Sequence, residues 1–219
     1  MTVSTDIAGL PVELLPERAA FLPDHNVLLV ADLHLSKGAT FRARGIPIPR
    51  GSSVLTLERL SALLRLTGPA RLIILGDLFH GREASHPGEM DAFFKFRERH
   101  RTLPMSWVLG NHDRHVKNLD IGCDVVQELS LGDWRLSHHP VYDERPTVCG
   151  HIHPGYRLGG RGRASEMLPC FYQSGSCLVL PAFGEFTGLA AVEPSPEDRI
   201  HVIAGRSVLT IPPGALSAI

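Results

Sequence analysis

The sequence predicts an α/β fold, a β-sandwich flanked by helices with its functional loops along one edge. Short apolar runs at Val27–Val30, Leu72–Leu75, Trp107–Leu109, Trp134–Leu136 and Val148–Cys149 each stop at turn-forming residues, the pattern of buried strands. Segments of helical periodicity separate the first three runs. Past His153 the strand-like runs follow one another without helices.

Residues 11–23 read as a hairpin-like lead-in, and their prolines place it at a sheet edge. The strand at Val27 follows. After His34 comes a long connection carrying Lys37, Arg42, Arg44, Pro47, Pro49 and Arg50, and a loop of that length in a compact domain is usually functional. Val54, Leu57, Leu60, Leu63 and Leu64 recur near helical spacing over 53–66, and Gly68-Pro69 ends the helix. A second helix is expected over 88–100 from Met90, Phe93, Phe94 and Arg97, before a strand at Ser106–Leu109. Strand, helix, strand, helix, strand implies right-handed parallel crossovers. Beyond the Gly- and Arg-rich stretch 157–163, the runs Cys177–Leu180, Leu189–Val192 and Ile200–Ile203 read as antiparallel pairs.

With 219 residues, no internal repeat and no break in composition, residues 1–219 read as one domain. Hydrophobic residues make up 43% and charged residues 21%, which suits a soluble globular protein. No run approaches the roughly 18 apolar residues of a membrane span, and no leader pattern opens the chain, so a cytoplasmic protein with no membrane partner is expected. The formal charge of −1 gives no global attraction to nucleic acid, so any such affinity must be local. Cys123, Cys149, Cys170 and Cys177 form no CxxC pair and read as reduced and structural. Cys149, next to Gly150, reads as a small buried thiol and not as a ligand.

Twelve histidines is a high count for this length. Several fall in five ordered segments that each follow an apolar run: Asp32-Leu33-His34, Gly76-Asp77, Gly110-Asn111-His112-Asp113, Ser137-His138-His139 and Gly150-His151-Ile152-His153. Open α/β sheets gather ligands outside the carboxyl ends of their strands. Mixed carboxylate, amide and imidazole donors there suit two divalent metals about 3.5–4 Å apart, which clamp the attacking and leaving oxygens of a displacement at phosphorus. Asp77 is the best bridging carboxylate, and Gly76 lets backbone approach closely. Asp32 and His34 lie two apart, so on an extended strand end they point the same way, and His151 and His153 repeat that spacing.

These segments, in this order, resemble the calcineurin-like metallophosphoesterase superfamily. Ala31-Asp-Leu-His-Leu-Ser-Lys-Gly38, Thr40-Phe-Arg42, Gly45-Ile-Pro-Ile-Pro-Arg-Gly51, Leu75-Gly-Asp-Leu-Phe-His80 and Pro181-Ala-Phe-Gly-Glu-Phe-Thr-Gly188 are similar to the bacterial ligase-associated DNA damage response endonuclease group. The resemblance implies a four-layer fold, two mixed β-sheets packed as a sandwich and flanked by helices. It implies a DNA endonuclease in repair that uses two divalent cations, Mn2+ by preference with Fe, Zn or Co as alternatives, and DNA ligase, helicase and exonuclease proteins as partners. Asp32, His34, Asp77 and His153 would hold one metal, and Asp77, Asn111, His138 and His151 the other. Metal-bound hydroxide would attack phosphorus, and His112 would assist the leaving oxygen while Asp113 orients its ring. Imidazole suits proton donation near neutral pH.

Adjacent His138 and His139 face opposite ways in extended chain, and motif position favours His138 as ligand, leaving His139 either to support the ligands or to face substrate. His80, where many superfamily members carry Asp, reads as a contact to site or substrate, or as a surface histidine. Lys37, Arg42, Arg44 and Arg50 form either a solvated loop or contacts to phosphate. Phe183 and Phe186 read as core or site-wall residues, and Glu185 as a partner for a ligating histidine. A small phosphoester remains the alternative substrate. A catalytically dead scaffold fits poorly, because every ligand position is filled.

Overall fold

The computed structural model describes residues 1–48, 51–81, 88, 90–115, 120–159 and 165–212. Pro49, Arg50 and the second half of the Gly- and Arg-rich stretch, from residue 160 on, lie outside them.

The first sheet has seven strands in sequence order. A meander of β1 (Val3–Ile7), β2 (Leu10–Leu15) and β3 (Ala19–Leu22) leads antiparallel into β4 (Val27–Ala31). From β4 onward β5 (Arg71–Leu75), β6 (Met105–Val108) and β7 (Asp124–Val126) are parallel. Helix α1 (Lys37–Ala43) and helix α2 (Ser52–Thr67) lie between β4 and β5, and α3 (Asp91–Arg99) between β5 and β6. The nine-stranded second sheet contains β8 (Leu129–Leu131), β9 (Trp134–Leu136), β10 (Thr147–Cys149), β11 (Pro154–Gly159), β12 (Ser165–Ser174), β13 (Cys177–Val179), β14 (Ala190–Ala191), β15 (Arg199–Ala204) and β16 (Ser207–Ile211). Two mixed sheets with flanking helices form the expected sandwich.

Strand alternation explains the layers. Leu28 and Val30 of β4 and Leu72 and Ile74 of β5 pack with Leu57, Leu60, Leu64, Phe93 and Phe96 of the helices. Their alternates Leu29, Ala31, Ile73 and Leu75 face Trp134, Leu136, Val148, Phe171 and Leu178 of the second sheet. Parallel strands buried on both faces read as unbroken apolar runs, which is why the sequence displays them so clearly. Each fully buried Leu or Ile contributes about 1.5–3 kcal/mol. Helix α2 stops at Gly68, whose left-handed backbone (φ 56°) lets its N–H reach Leu64 O at 2.9 Å.

Three expectations change. The 37–50 connection begins as helix α1, in which the Gly38 backbone packs closely on Ser52 and on the Arg42 side chain. Tertiary contact creates that helix, and its apolar period is too sparse to reveal it. The 11–23 segment is interior, because β1 covers it; Pro16 and Pro23 mark turns of the meander and not a sheet edge. Among the late strands β15 is antiparallel to both neighbours, whereas β13 is parallel to β10 and β14 is parallel to β11. Short apolar runs identify strands without identifying their partners.

His201 of β15 is 2% exposed, its Nδ1 lies 2.9 Å from Thr210 Oγ1, and its Nε2 has no hydrogen-bond partner among the described residues. Burial, reinforced by the Arg199 charge, pushes its pKa down to about 4. The unfolded chain therefore takes up a proton below about pH 6.5 that the native state refuses, and stability falls as pH drops from there toward 4. At pH 5 the loss is about 2 kcal/mol. Unfolding free energies from denaturant titrations at pH 7 and pH 5 should differ less in His201→Gln than in the parent by that amount.

Candidate metal centre

All five ligand segments meet at one edge of the sandwich. Asp32 and His34 follow β4, Asp77 follows β5, Asn111 and His112 follow β6, His138 and His139 follow β9, and His151 and His153 follow β10. Both sheets thus deliver the carboxyl ends of their parallel strands to the same place.

Donor atoms of Asp32, His34 and His153 lie within 4.8 Å of one another, as do those of Asp32, Asp77 and His138, and those of His138, His139 and His151. Asp77 Oδ1 is 3.6 Å from His138 Nε2, and Asp77 Oδ2 is 3.8 Å from His34 Nε2. Asn111 Oδ1 lies 2.9 Å from His138 Nε2. Ring nitrogens also face each other, His34 Nε2 and His153 Nε2 at 3.2 Å and His151 Nδ1 and His138 Nε2 at 3.1 Å.

This donor set fits divalent cations on the structure's own terms. Asp32 Oδ1 is buried with no hydrogen-bond partner among the described residues, while His138 Nδ1 and His153 Nε2 each stand 3.7 Å from it. An orphaned carboxylate oxygen in that setting costs free energy unless a cation occupies the space. Burial lowers the pKa of His34, of His138 (to about 4) and of His151, which keeps their imidazoles in the neutral, ligating form. Burial raises the Asp77 carboxyl in turn, the cost of holding a carboxylate where a cation would favour it.

The convergence is achieved by loop conformation. Asp32 (φ 54°), His34 (46°), Asp77 (44°), His151 (72°) and His153 (53°) all have left-handed backbone, rare for residues other than glycine. Asp32 and His34 therefore reach the same cluster without the extended alternation that their spacing suggested. Such strain concentrates at functional sites, where surrounding structure holds it in place. Neighbouring glycines leave the room: a Cβ on Gly76 would sit 1.9 Å from His138 Nδ1, and one on Gly110 2.1 Å from Asp77 Oδ1.

The loop after β6 is fixed by Asp113. Its carboxylate accepts Phe79 N at 3.1 Å, Trp107 Nε1 at 3.1 Å and Gly110 N at 2.8 Å. Burial pushes that carboxyl up to about 7 against the pull of those donors. Asp113 was expected to orient the His112 ring; its oxygens are instead committed to the loop's backbone and to the indole, because a fully buried carboxylate needs several donors. His112 donates its own N–H to Asp77 Oδ1 at 2.9 Å, and its half-exposed ring, with Nε2 3.9 Å from Asp77 Oδ2, stacks on His80 at 4.7 Å.

His80 also places Nδ1 3.2 Å from His34 Nδ1, which makes it a residue of the site and excludes the surface-histidine reading. His138 is 2% exposed, with its ring between the Asp32 and Asp77 carboxylates. His139 is exposed yet does not point away: a turn in which Ser137 Oγ donates to His139 O brings its ring 4.2 Å from that of His151. Lys37 opens α1 half-buried; burial lowers its pKa, opposed by the Asp77 and Asp32 charges. Arg42 folds back toward Gly38 within α1, and Arg44 is exposed at its end.

Glu185 departs from its expected role. It pairs with Arg59 of α2 at 2.7 Å and not with a histidine. Phe183 is fully buried beneath the Arg59 guanidinium, 4.3 Å from the ring centroid, whereas Phe186 is exposed in left-handed backbone (φ 59°). Arg59 carries no sequence signal for this role, since it occupies a polar position of an amphipathic helix. Trp107 was legible only as a strand residue.

A family model described as calcineurin-like phosphoesterase matches residues 25–156. The crystal structure of nuclease MPE from Pseudomonas putida is similar over 96% of this chain and 100% of that one, at 34% identity and a TM-score of 0.81. YfcE, a phosphoesterase from E. coli, shares 17% identity over 87% of this chain and 94% of its own, with a TM-score of 0.43. No curated protein matches the chain. The family match spans the ligand segments through His153, and the nuclease covers the strands beyond them. On these grounds the chain belongs to the calcineurin-like phosphoesterase family and is a metal-dependent phosphoester hydrolase.

Proposed function

We propose that the chain is a two-metal phosphodiesterase that cuts DNA internally, a cytoplasmic repair enzyme acting alongside a DNA ligase, with helicase and exonuclease proteins as companions. The observation that carries the nuclease reading is the near-complete likeness to nuclease MPE, together with a full set of ligand positions. Asp32, His34, Asp77 and His153 would hold one cation, and Asp77, Asn111, His138 and His151 the other; manganese is the cation we assign. Bound divalent cations supply Lewis acidity at the phosphoryl oxygens and lower the pKa of attacking water.

The chain's own residues do the remainder. Asp77 anchors the His112 N–H, so the same carboxylate that would bridge the cations also positions the general acid. His112 donates a proton to the leaving oxygen, its ring held by stacking on His80. Asp113 keeps the loop that carries Asn111 and His112 in register with β5 and β6. Lys37 and Arg42 of α1 and Arg44 at its C-terminal end contact substrate phosphates, and His80 and His139 border the scissile group.

Manganese-reconstituted protein should cut circular single-stranded DNA, which has no ends for an exonuclease, as well as hydrolysing bis-p-nitrophenyl phosphate. Hydrolysis of the ester with intact circles would move the assignment to a small phosphoester.

A further inference from the structure

The segment Pro181–Gly188 touches the metal centre on one side only. Phe183 N donates to Ala31 O at 2.8 Å and Gly184 N to Asp32 O at 3.0 Å, which pins the segment beside the first ligand turn. From the other side Arg59 donates to Phe183 O and pairs with Glu185. Past Arg59 opens a cleft of about 390 Å³, walled by Glu17, Arg18, Arg59, Pro169, Ile203 and Arg206. None of these residues has a part in the chemistry above.

Three arginines line the cleft from three separate elements, Arg18 from the β2–β3 turn, Arg59 from helix α2 and Arg206 from the β15–β16 turn, and the Arg18 guanidinium donates to Ala182 O at 3.4 Å. Glu185 pairs with Arg59, which leaves two further arginines, Arg18 and Arg206, against the one carboxylate of Glu17 in the cleft lining. In a chain of net charge −1 this is a local positive excess. Burial lowers the Arg59 pKa; Glu185 and Glu17 oppose that shift, and the Arg18 charge adds to it, so Arg18 and Arg59 are close enough to repel. Arg18 occupies a left-handed corner (φ 66°) where glycine or asparagine is the usual resident. Glu185 and Phe186 meanwhile border the space next to His34 and Lys37. Lys37, beside His34, and the arginines of the cleft thus lie on either side of the Pro181–Gly188 segment, which itself carries the acid Glu185.

Resting on the nuclease reading, we propose that the Arg18–Arg59–Arg206 cleft is an exosite for the phosphodiester backbone of the nucleic-acid strand whose scissile phosphate lies at the metal centre. A lone phosphate at exposed Arg206 would gain only the small energy of a solvated ion pair. Useful affinity requires several phosphates on one chain, and a polynucleotide supplies them with its regular charge spacing.

The test is oligothymidylate binding across a salt series, with bis-p-nitrophenyl phosphate hydrolysis measured on the same manganese-loaded samples. Arg206→Glu should weaken binding at least about five-fold and flatten the slope of log K against log salt by about 0.7, the contribution of one phosphate contact on a single strand. Adding Arg18→Ser should flatten it by about 0.7 again, Arg206→Lys should retain most of the affinity, and the small ester should be hydrolysed at the parental rate throughout. Parental affinity and slope in the double variant, with cutting intact, would overturn the exosite and leave the nuclease reading standing. A parent that hydrolyses the ester but neither binds nor cuts oligothymidylate would overturn both. Inorganic phosphate binding that Arg206→Glu abolishes, without oligothymidylate binding, would make the cleft a small-anion site and overturn the exosite.

Discussion

Asp77→Ala is expected to lower phosphodiester hydrolysis roughly 1,000-fold, about 4 kcal/mol of transition-state stabilisation, while the fold persists. Asp77 is 2% exposed, lies within 3.9 Å of donor atoms on His34, His112 and His138, and holds the His112 N–H at 2.9 Å. Removing it takes away the carboxylate best placed to be shared and the anchor of the general acid together. Stability should respond in the opposite sense. Burial raises the Asp77 pKa, so metal-free Asp77→Ala should be as stable as the parent or more so. The stabilisation that a saturating cation gives, about 2.7 kcal/mol at a hundredfold excess over Kd, should shrink sharply. Thermal unfolding with and without manganese reads both effects; an unchanged metal response would show that Asp77 holds no cation.

Asp113→Ala should be the most destabilising change at the site, by about 3 kcal/mol. It would strand three donors, Phe79 N and Trp107 Nε1 in the fully buried core and Gly110 N at its partly buried margin. An unsatisfied buried donor costs more than the hydrogen bond it loses. Asp113→Asn keeps one acceptor oxygen and should recover about half of the loss. Denaturant unfolding of the metal-free proteins separates this from catalysis. Equal stability of Asp113→Ala and parent would mean that the loop after β6 is held by something other than this carboxylate.

The ligand segments were legible because parallel strands buried on both faces leave apolar runs, and each run ends where its donors begin. How the donors converge was not. Left-handed backbone at Asp32, His34, Asp77, His151 and His153 is selected by tertiary packing, and residue spacing alone suggested extended chain. Asp113 illustrates the same limit: its sequence neighbour is His112, but its partners are Phe79 and Trp107 on other elements. Arg59 and Glu185 lie far apart in sequence and meet only because α2 packs beside the Pro181–Gly188 segment. Helix α1 was hidden by Gly38 and its charged residues, and the parallel partner of β14 by that strand's brevity.

Manganese titration into chelator-stripped protein, followed by calorimetry and by elemental analysis of the dialysed product, counts the cations that the site holds. A dinuclear centre predicts about two equivalents per chain for the parent and fewer than about one and a half for Asp77→Ala. One equivalent or none in the parent, or two retained without Asp77, would contradict it.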